Sequence, residues 1–306
     1  MVNEVAFAGR SGDLECLENG DSNATDFGLC DELKICVVRT STHEDILVAR
    51  DFNRTSKVTT NDIDDFYRSF LKGDCNILIG EKFDLAEQHL KRRGYTDSDY
   101  TVGAVVLSKE YISLVTRDGD PKFSDLSNWI IQSLFSAEQG FQMEETDAFG
   151  DSYRHIFQDA TAVVGGYGEL YERYLEDIVP RSSSNHINNG TSPDMFAIPF
   201  GNPLPMDPPL STDSKTIAKI KSRGTLRCGI TDAPFFARLN DDNEWVGLDA
   251  DFCNGIAAAL FGGEFKDTVK FIQLNPDERF DALANGEVDV LARATTITFE
   301  RDVMLK

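Results

Sequence analysis

The stretch Val288-Asp-Val-Leu-Ala-Arg-Ala-Thr-Thr-Ile-Thr-Phe-Glu-Arg-Asp302 decides how this chain is read. Val288–Ala292 is an apolar run of strand length, and Thr295, Thr296, Thr298 and Arg301 follow it. An arginine fork makes two parallel hydrogen bonds to a carboxylate, and hydroxyls and helix-start amides add more. A Thr-rich strand end beside a surface arginine is the competing reading. If it is a half-site, its partner must come from earlier in the chain or from another molecule.

Working outward, alternating elements lead up to this strand. Ile217–Ile220 reads as a short helix, Thr225–Ile230 as a strand, and Ala250–Phe261 as a helix burying Phe252, Ile256 and Leu260. Val269–Leu274 is a strand, and Asp277–Ala284 a helix stopped at Gly286. Residues 201–214 hold four prolines without periodicity, the clearest linker in the chain. Earlier, Ile35–Val38 and Cys75–Ile79 read as strands and Thr60–Leu71 as an amphipathic helix with Ile63, Tyr67 and Phe70 on one face. Leu126–Phe135 is a second strong helix, with Leu126, Trp129, Ile130 and Leu134 at helical spacing, whereas residues 1–30 read as polar and weakly patterned. Such alternation predicts an α/β fold with mostly parallel sheets flanked by helices. One echo recurs: Phe70-Leu-Lys-Gly73-Asp-Cys-Asn-Ile-Leu78 matches Leu283-Ala-Asn-Gly286-Glu-Val-Asp-Val-Leu291 in grammar, a helix end, a glycine, an acid and a strand. It predicts two lobes built alike, with a ligand cleft beyond their strand ends.

Composition narrows the function. The chain has 306 residues, 41% of them hydrophobic, and a net charge of −22. That charge argues against nucleic acid and against an anionic membrane surface. No apolar run approaches a spanning helix, and the N-terminus lacks a signal-peptide pattern, so direct membrane insertion is not expected. Six cysteines fall into position-matched pairs: Cys36 with Cys75, Cys228 with Cys253, and Cys16 with Cys30. Six buried thiols are the alternative. Three sequons, at Asn23, Asn53 and Asn189, favour an oxidising, extracellular or luminal setting with glycosylation.

The earlier half offers matching polar residues. Ser41 and Thr42 precede a helix opened by Glu44 and Asp45, where free amides could meet an anion or the hydroxyls could simply cap. Glu81 follows a strand and could pair with an ammonium, although a solvated glutamate is the commoner fate. Phe235 and Phe236 stand at a strand end as cleft wall or core. Four histidines, His43, His89, His155 and His186, lack metal-ligand spacing, and no nucleophile elbow or phosphate loop occurs. Neither a catalytic set, a cofactor nor a metal is expected.

Residues 215–306 resemble the N-terminal part of bacterial ABC-transporter amino-acid-binding proteins of the polar, general amino-acid subclass. The resemblance is carried by Arg223-Gly-Thr-Leu-Arg-Cys-Gly-Ile230, Gly247-Leu-Asp-Ala-Asp-Phe-Cys253, Glu278-Arg-Phe-Asp-Ala-Leu283 and Gly286–Thr295. Residues from about 25 to 200 resemble the remaining part more loosely, through Ser108-Lys-Glu110, Arg117-Asp-Gly-Asp120, Trp129 to Gln139 and Tyr167–Arg173. The resemblance implies a two-lobed, type 2 periplasmic-binding-protein-like fold closing on an amino acid, without catalysis, with a membrane transporter as possible partner. It implies that Ala294 offers backbone, that Thr296 and Arg301 hold the α-carboxylate, that Ser41 and Thr42 add helix-start contacts, and that Glu81 faces the α-ammonium. Thr40 stands where the family has glycine, Glu81 where it has aspartate, and Arg39 adds a charge.

The expected division is a polar segment over 1–29, the second lobe over 30–112, a return segment of the first lobe over 113–200, the linker, and the first lobe's N-terminal part over 215–306. This swapped order fits a circular permutant or a cut from a tandem array, with Lys306 a boundary inside a domain. A ligand-independent extracellular interaction module and a prephenate- or arogenate-dehydratase-like enzyme using Glu81 are the alternatives on the same fold.

Overall fold

A computed structural model describes residues 2–18, 33–49, 56–181 and 214–301, apart from residues 139, 141, 144, 146–148, 150, 234, 263, 264, 266, 299 and 300. The chain divides into two units: an N-terminal one of Val2–Tyr111 with Asn275–Asp277, and a C-terminal one of Ile112–Leu274 with Glu278–Lys306. Among the described residues, no helix is long and apolar enough to cross a membrane.

The N-terminal unit contains β1 (Val2–Arg10), α1 (Ser11–Glu18), β2 (Lys34–Val38), α2 (Thr42–Ala49), β3 (Ser56–Thr60), α3 (Ile63–Lys72), β4 (Ile77–Glu81), α4 (Glu87–Lys91), β5 (Tyr100–Val102) and the start of β6 (Ser108–Thr116). β3, β2 and β4 pair in parallel, while β1 pairs antiparallel with β4, β5 and β6. The expectation of a polar, weakly patterned segment over residues 1–29 is thus corrected for its first part. Val5, Ala6, Phe7 and Ala8 are buried. A continuous apolar run, without alternation, is what a strand covered on both faces requires.

Side chains alternate across this sheet. Val5, Phe7, Ile35, Val37, Ile77 and Ile79 pack with Leu14, Leu17 and Leu47 on one face. Ala6, Ala8, Cys36 and Leu78 pack with Phe66, Tyr67, Phe70 and Leu90 on the other. The face read for the Thr60–Leu71 helix places Tyr67 and Phe70 in that core, with Ile63 half-buried against it. Asp62 caps α3 by accepting from the Asp65 amide, and Gly73 ends it at φ 78°. A left-handed stop of that kind suits a residue without Cβ. Cys36 and Cys75 are disulfide-bonded.

The C-terminal unit contains the end of β6, α5 (Pro121–Glu138), α6 (Ile156–Val164), α7 (Tyr167–Tyr174), α8 (Lys215–Arg223), β7 (Leu226–Ile230), β8 (Arg238–Leu239), β9 (Trp245–Val246), α9 (Leu248–Phe261), β10 (Val269–Gln273), α10 (Arg279–Ala284) and β11 (Val290–Thr296). β10 and β11 flank β7 in parallel, and β11 pairs antiparallel with β6. Phe123, Leu126, Ile130, Ile156 and Phe157 share one core with Ile217, Ile220, Cys228, Ile256 and Val290. The two stretches read as a return segment and a lobe start therefore bury a common apolar surface. Phe252, expected in this core, is only half-buried.

Polar contacts reinforce that junction. Asp120 accepts from the Phe123 amide at 3.2 Å and, at its other oxygen, from Ser214 Oγ at 2.8 Å and the Thr216 amide at 2.7 Å. One carboxylate thus serves the N-termini of α5 and α8. Burial works to raise its pKa, but these bonds outweigh that and hold it below the ordinary value. Arg117 donates to the carbonyls of Leu283 and Val288. Cys228 and Cys253 form the second disulfide. The Cys16–Cys30 pair, the three sequons and residues 201–213 of the linker lie outside the described residues.

Candidate functional site

The residues singled out in the sequence fall into two groups, one in each unit. In the C-terminal unit, β11 runs to Thr296, so Thr295 and Thr296 belong to the strand rather than following it. The register against β6 shifts between Leu291 and Thr295, and Ala294 takes a left-handed φ of 49°. A bulge of this kind re-aims side chains at a strand end and carries strain when the residue has a Cβ. Asp249 on α9 accepts a hydrogen bond from the Ala294 amide, which fastens the bulge.

Asp249 is 4% exposed, and Arg293 is 8% exposed. Burial pushes the Asp249 carboxyl up to about 7, against the pull of the Ala294 amide and Arg293. Burial also brings the Arg293 guanidinium down to about 10, with Asp249 opposing and Arg301 adding to the fall.

Beyond the bulge, a cavity of about 320 Å³ is lined by Ser113, Thr116, Ser124, Phe280, Thr295, Thr296, Thr298 and Arg301, among others. The Arg301 amide donates to Thr298 Oγ1 at 3.1 Å, and its guanidinium donates to the Thr296 carbonyl at 2.9 Å. The guanidinium carbon lies 5.7 Å from the Phe280 ring centre. The cavity therefore joins hydroxyls, one half-buried guanidinium, the Asp118 carboxylate and an aromatic wall, and its hydroxyl–guanidinium side is suited to a small anion with an apolar part.

Phe235 and Phe236 do something else. Phe236 is buried and Phe235 half-buried, at φ 73°. Their carbonyls accept from the amides of Leu248 and Asp249 at 2.9 and 2.8 Å, which satisfies the start of α9. Gly247 permits this approach: a Cβ there would lie 2.4 Å from the Phe236 carbonyl oxygen.

In the N-terminal unit, β2 ends in a tight turn. Thr40 adopts φ 54°, a left-handed conformation that is uncommon for a β-branched residue. Its amide donates to Glu44 Oε2 at 3.0 Å. Ser41 Oγ donates to the Val38 carbonyl at 2.6 Å and lies 3.4 Å from the Glu44 amide. Glu44 has its pKa lowered, chiefly by the bond from Lys57, with burial opposing. Ser41 thus caps the helix start, while Glu44 reaches back to the amide one residue before the cap, a variant of the capping box. Arg39 pairs with Asp277 at 2.6 Å, and Thr40 Oγ1 donates to the same carboxylate at 3.1 Å.

Thr42 points its hydroxyl to Glu110 Oε2 at 2.7 Å. Glu81 is the last residue of β4, paired across to Val5 of β1, rather than a loop residue after the strand. His43, Glu81 and Glu110 come together here, with ligand-capable atoms all within 4.8 Å of one another. In the sequence Glu110 stands only within a stretch that carries the resemblance, and His43 only among histidines without metal-ligand spacing. The signal joining them lies in the strand order, because β1 places the start of β6 and the end of β4 on its two sides.

Residues 226–305 match the model of the bacterial extracellular solute-binding proteins, family 3. A general L-amino acid-binding periplasmic protein of Rhizobium johnstonii is 41% identical over 96 residues, 31% of this chain and 28% of that protein. A putative amino-acid ABC transporter-binding protein of Escherichia coli K12 is 44% identical over 88 residues, 28% of this chain and 25% of that protein. Among solved structures, an ABC transporter periplasmic binding protein from Brucella ovis with glutathione bound is 46% identical over 30% of this chain and 29% of its own, with a TM-score of 0.29. The chain thus spans about a quarter of the length of the curated relatives it matches. The resemblance seen in the sequence of residues 215–306 is to these amino-acid-binding proteins.

Proposed function

We propose that this chain is a non-catalytic solute-binding module for an amino acid or a similar small carboxylate. The observation that carries the reading is the cavity of about 320 Å³ lined by Thr296, Thr298 and Arg301. Half of its lining, Phe280, Thr295, Thr296, Ile297, Thr298 and Arg301, lies in the stretch that matches the solute-binding family, and the other half comes from residues 113–124. Arg301 holds the carboxylate by exchanging its bond to the Thr296 carbonyl for a two-pronged one, and Thr296 and Thr298 supply hydroxyls. The likeness to an amino acid-binding periplasmic protein and to an amino-acid ABC transporter-binding protein supports an amino acid as ligand and an ABC transporter as partner. Two disulfides support a site of action outside the cytoplasm.

Calorimetric titration against the common amino acids tests this. At least one is expected to bind saturably, and Arg301→Ala is expected to weaken it about 30- to 100-fold, the scale of a hydrogen bond to a charged group. Absence of binding by every amino acid at millimolar concentration sinks the reading.

A further inference from the structure

We propose that His43, Glu81 and Glu110 form a binding site for a divalent transition-metal ion of the zinc class, contained wholly in the N-terminal unit. It goes beyond the amino-acid reading and does not depend on it. The three side chains come from α2, β4 and β6, and they are 8%, 7% and 6% exposed. His43 Nε2 stands 3.9 Å from Glu81 Oε1, and one ligand atom from each residue lies within 4.8 Å of the other two. A tetrahedral zinc ion with bonds of about 2.0–2.1 Å needs its ligands about 3.3 Å apart. Small side-chain rotations close that difference.

Three features favour a metal over a plain ion pair. First, two carboxylates sharing a buried space repel each other, and a protonated imidazole supplies one positive charge where a divalent ion supplies two. Second, the donor set is one imidazole nitrogen and two carboxylate oxygens, which suits zinc and its neighbours better than calcium or magnesium. Third, Glu110 is oriented from behind. Thr42 Oγ1 donates to Glu110 Oε2 at 2.7 Å, and Ser108 Oγ lies 3.4 Å from Glu110 Oε1. Such outer contacts set the direction and basicity of metal ligands. Three protein ligands leave a fourth position open to water or to a donor atom of a bound solute.

The test is zinc chloride titrated calorimetrically into the whole chain, with cobalt(II) absorption as a spectroscopic readout of coordination. The wild type is expected to take up one ion per chain, released by EDTA, with cobalt bands of tetrahedral intensity. His43→Gln and Glu110→Gln are expected to weaken uptake at least 10-fold. Thr42→Val, half-buried and outside the ligand set, is expected to weaken it about 10-fold through Glu110 alone. Circular dichroism establishes that each variant is folded, and Thr42→Val keeps the test open should a buried variant fail to fold. Absence of saturable zinc uptake by the wild type overturns the proposal, and so does uptake left unchanged by the substitutions. Amino-acid titrations are run in EDTA and zinc titrations without amino acid, so that neither ligand is read as the other. Arg301→Ala, in the other unit, is expected to keep zinc uptake, which separates failure of this site from failure of the amino-acid site.

Discussion

The two strand-entry segments, α3–Gly73–β4 and α10–Gly286–β11, are built on one plan and diverge at their polar positions. Gly73 and Gly286 take φ 78° and 72°. Asn76 and Asp289 occupy the same place, just before the strand. Asn76 accepts from the Lys34 amide and donates its own amide to the Lys34 carbonyl. Asp289 makes the same pair of bonds with Arg227. The following strands then pair in parallel at Ile35–Ile77 and Cys228–Val290. An amide or a carboxylate can therefore set the register, but the carboxylate also carries a charge that must be answered. Asp289 is 2% exposed and pairs with Arg223, with Arg117 3.9 Å away. The lesson is that the backbone plan is shared, while each unit pays separately for the charges it buries.

The sharpest way to break the comparison is to truncate both acceptors. Asp289→Ala is expected to cost about 3 kcal/mol, because it removes a buried acceptor and leaves two half-buried arginines without their carboxylate. Asn76→Ala, which removes a neutral acceptor, is expected to cost about 1–2 kcal/mol. Denaturant unfolding measures both, and equal costs would show that the charge contributes nothing beyond the register bond.

The units are also expected to respond oppositely to pH. Asp249, raised to about 7 by burial, favours the protonated form in the folded C-terminal unit. Its contribution is fully present below the unfolded value near 3.8 and is lost as pH rises through about 7. His89 stacks on Tyr67 and donates from Nε2 to the Phe83 carbonyl at 2.9 Å. Burial first, with Arg93 and Arg92 adding to it and the Phe83 bond opposing, brings its pKa down to about 4. Its contribution is present above the unfolded value near 6.5 and is lost as pH falls through about 4. Each effect is on the order of 3 kcal/mol. The two windows overlap from about pH 4 to 7 with opposite slopes, so relative to the wild type the change of stability with pH across that range is expected to become more positive in Asp249→Asn and more negative in His89→Gln. If neither variant shifts that slope in its own direction, the assignment of these two groups is wrong.

The smallest effect concerns the two left-handed turns. Ala294→Gly is expected to stabilise the chain by about 0.5–1 kcal/mol, since glycine adopts φ near 50° without the Cβ penalty. Thr40→Gly is expected to gain less, because it also removes the bond from Thr40 Oγ1 to Asp277. Thermal unfolding would distinguish them, and a loss of stability in Ala294→Gly would show that the bulge is not strained.

By itself the sequence determined the α/β alternation, the glycine stops at Gly73 and Gly286, the cysteine positions that two disulfides join, and the hydroxyl–arginine run that lines the cavity. All of these depend on neighbours within one or two elements, where periodicity and backbone preference act. β1 escaped because its apolar run is short and lacks alternation. The left-handed Ala294 escaped because nothing local favours it: Asp249, far away in sequence, holds it there. The meeting of His43, Glu81 and Glu110 is likewise tertiary. It depends on β1 entering between β4 and β6, and a strand order of that kind leaves no mark in residue spacing, because chain separation does not encode which strands become neighbours.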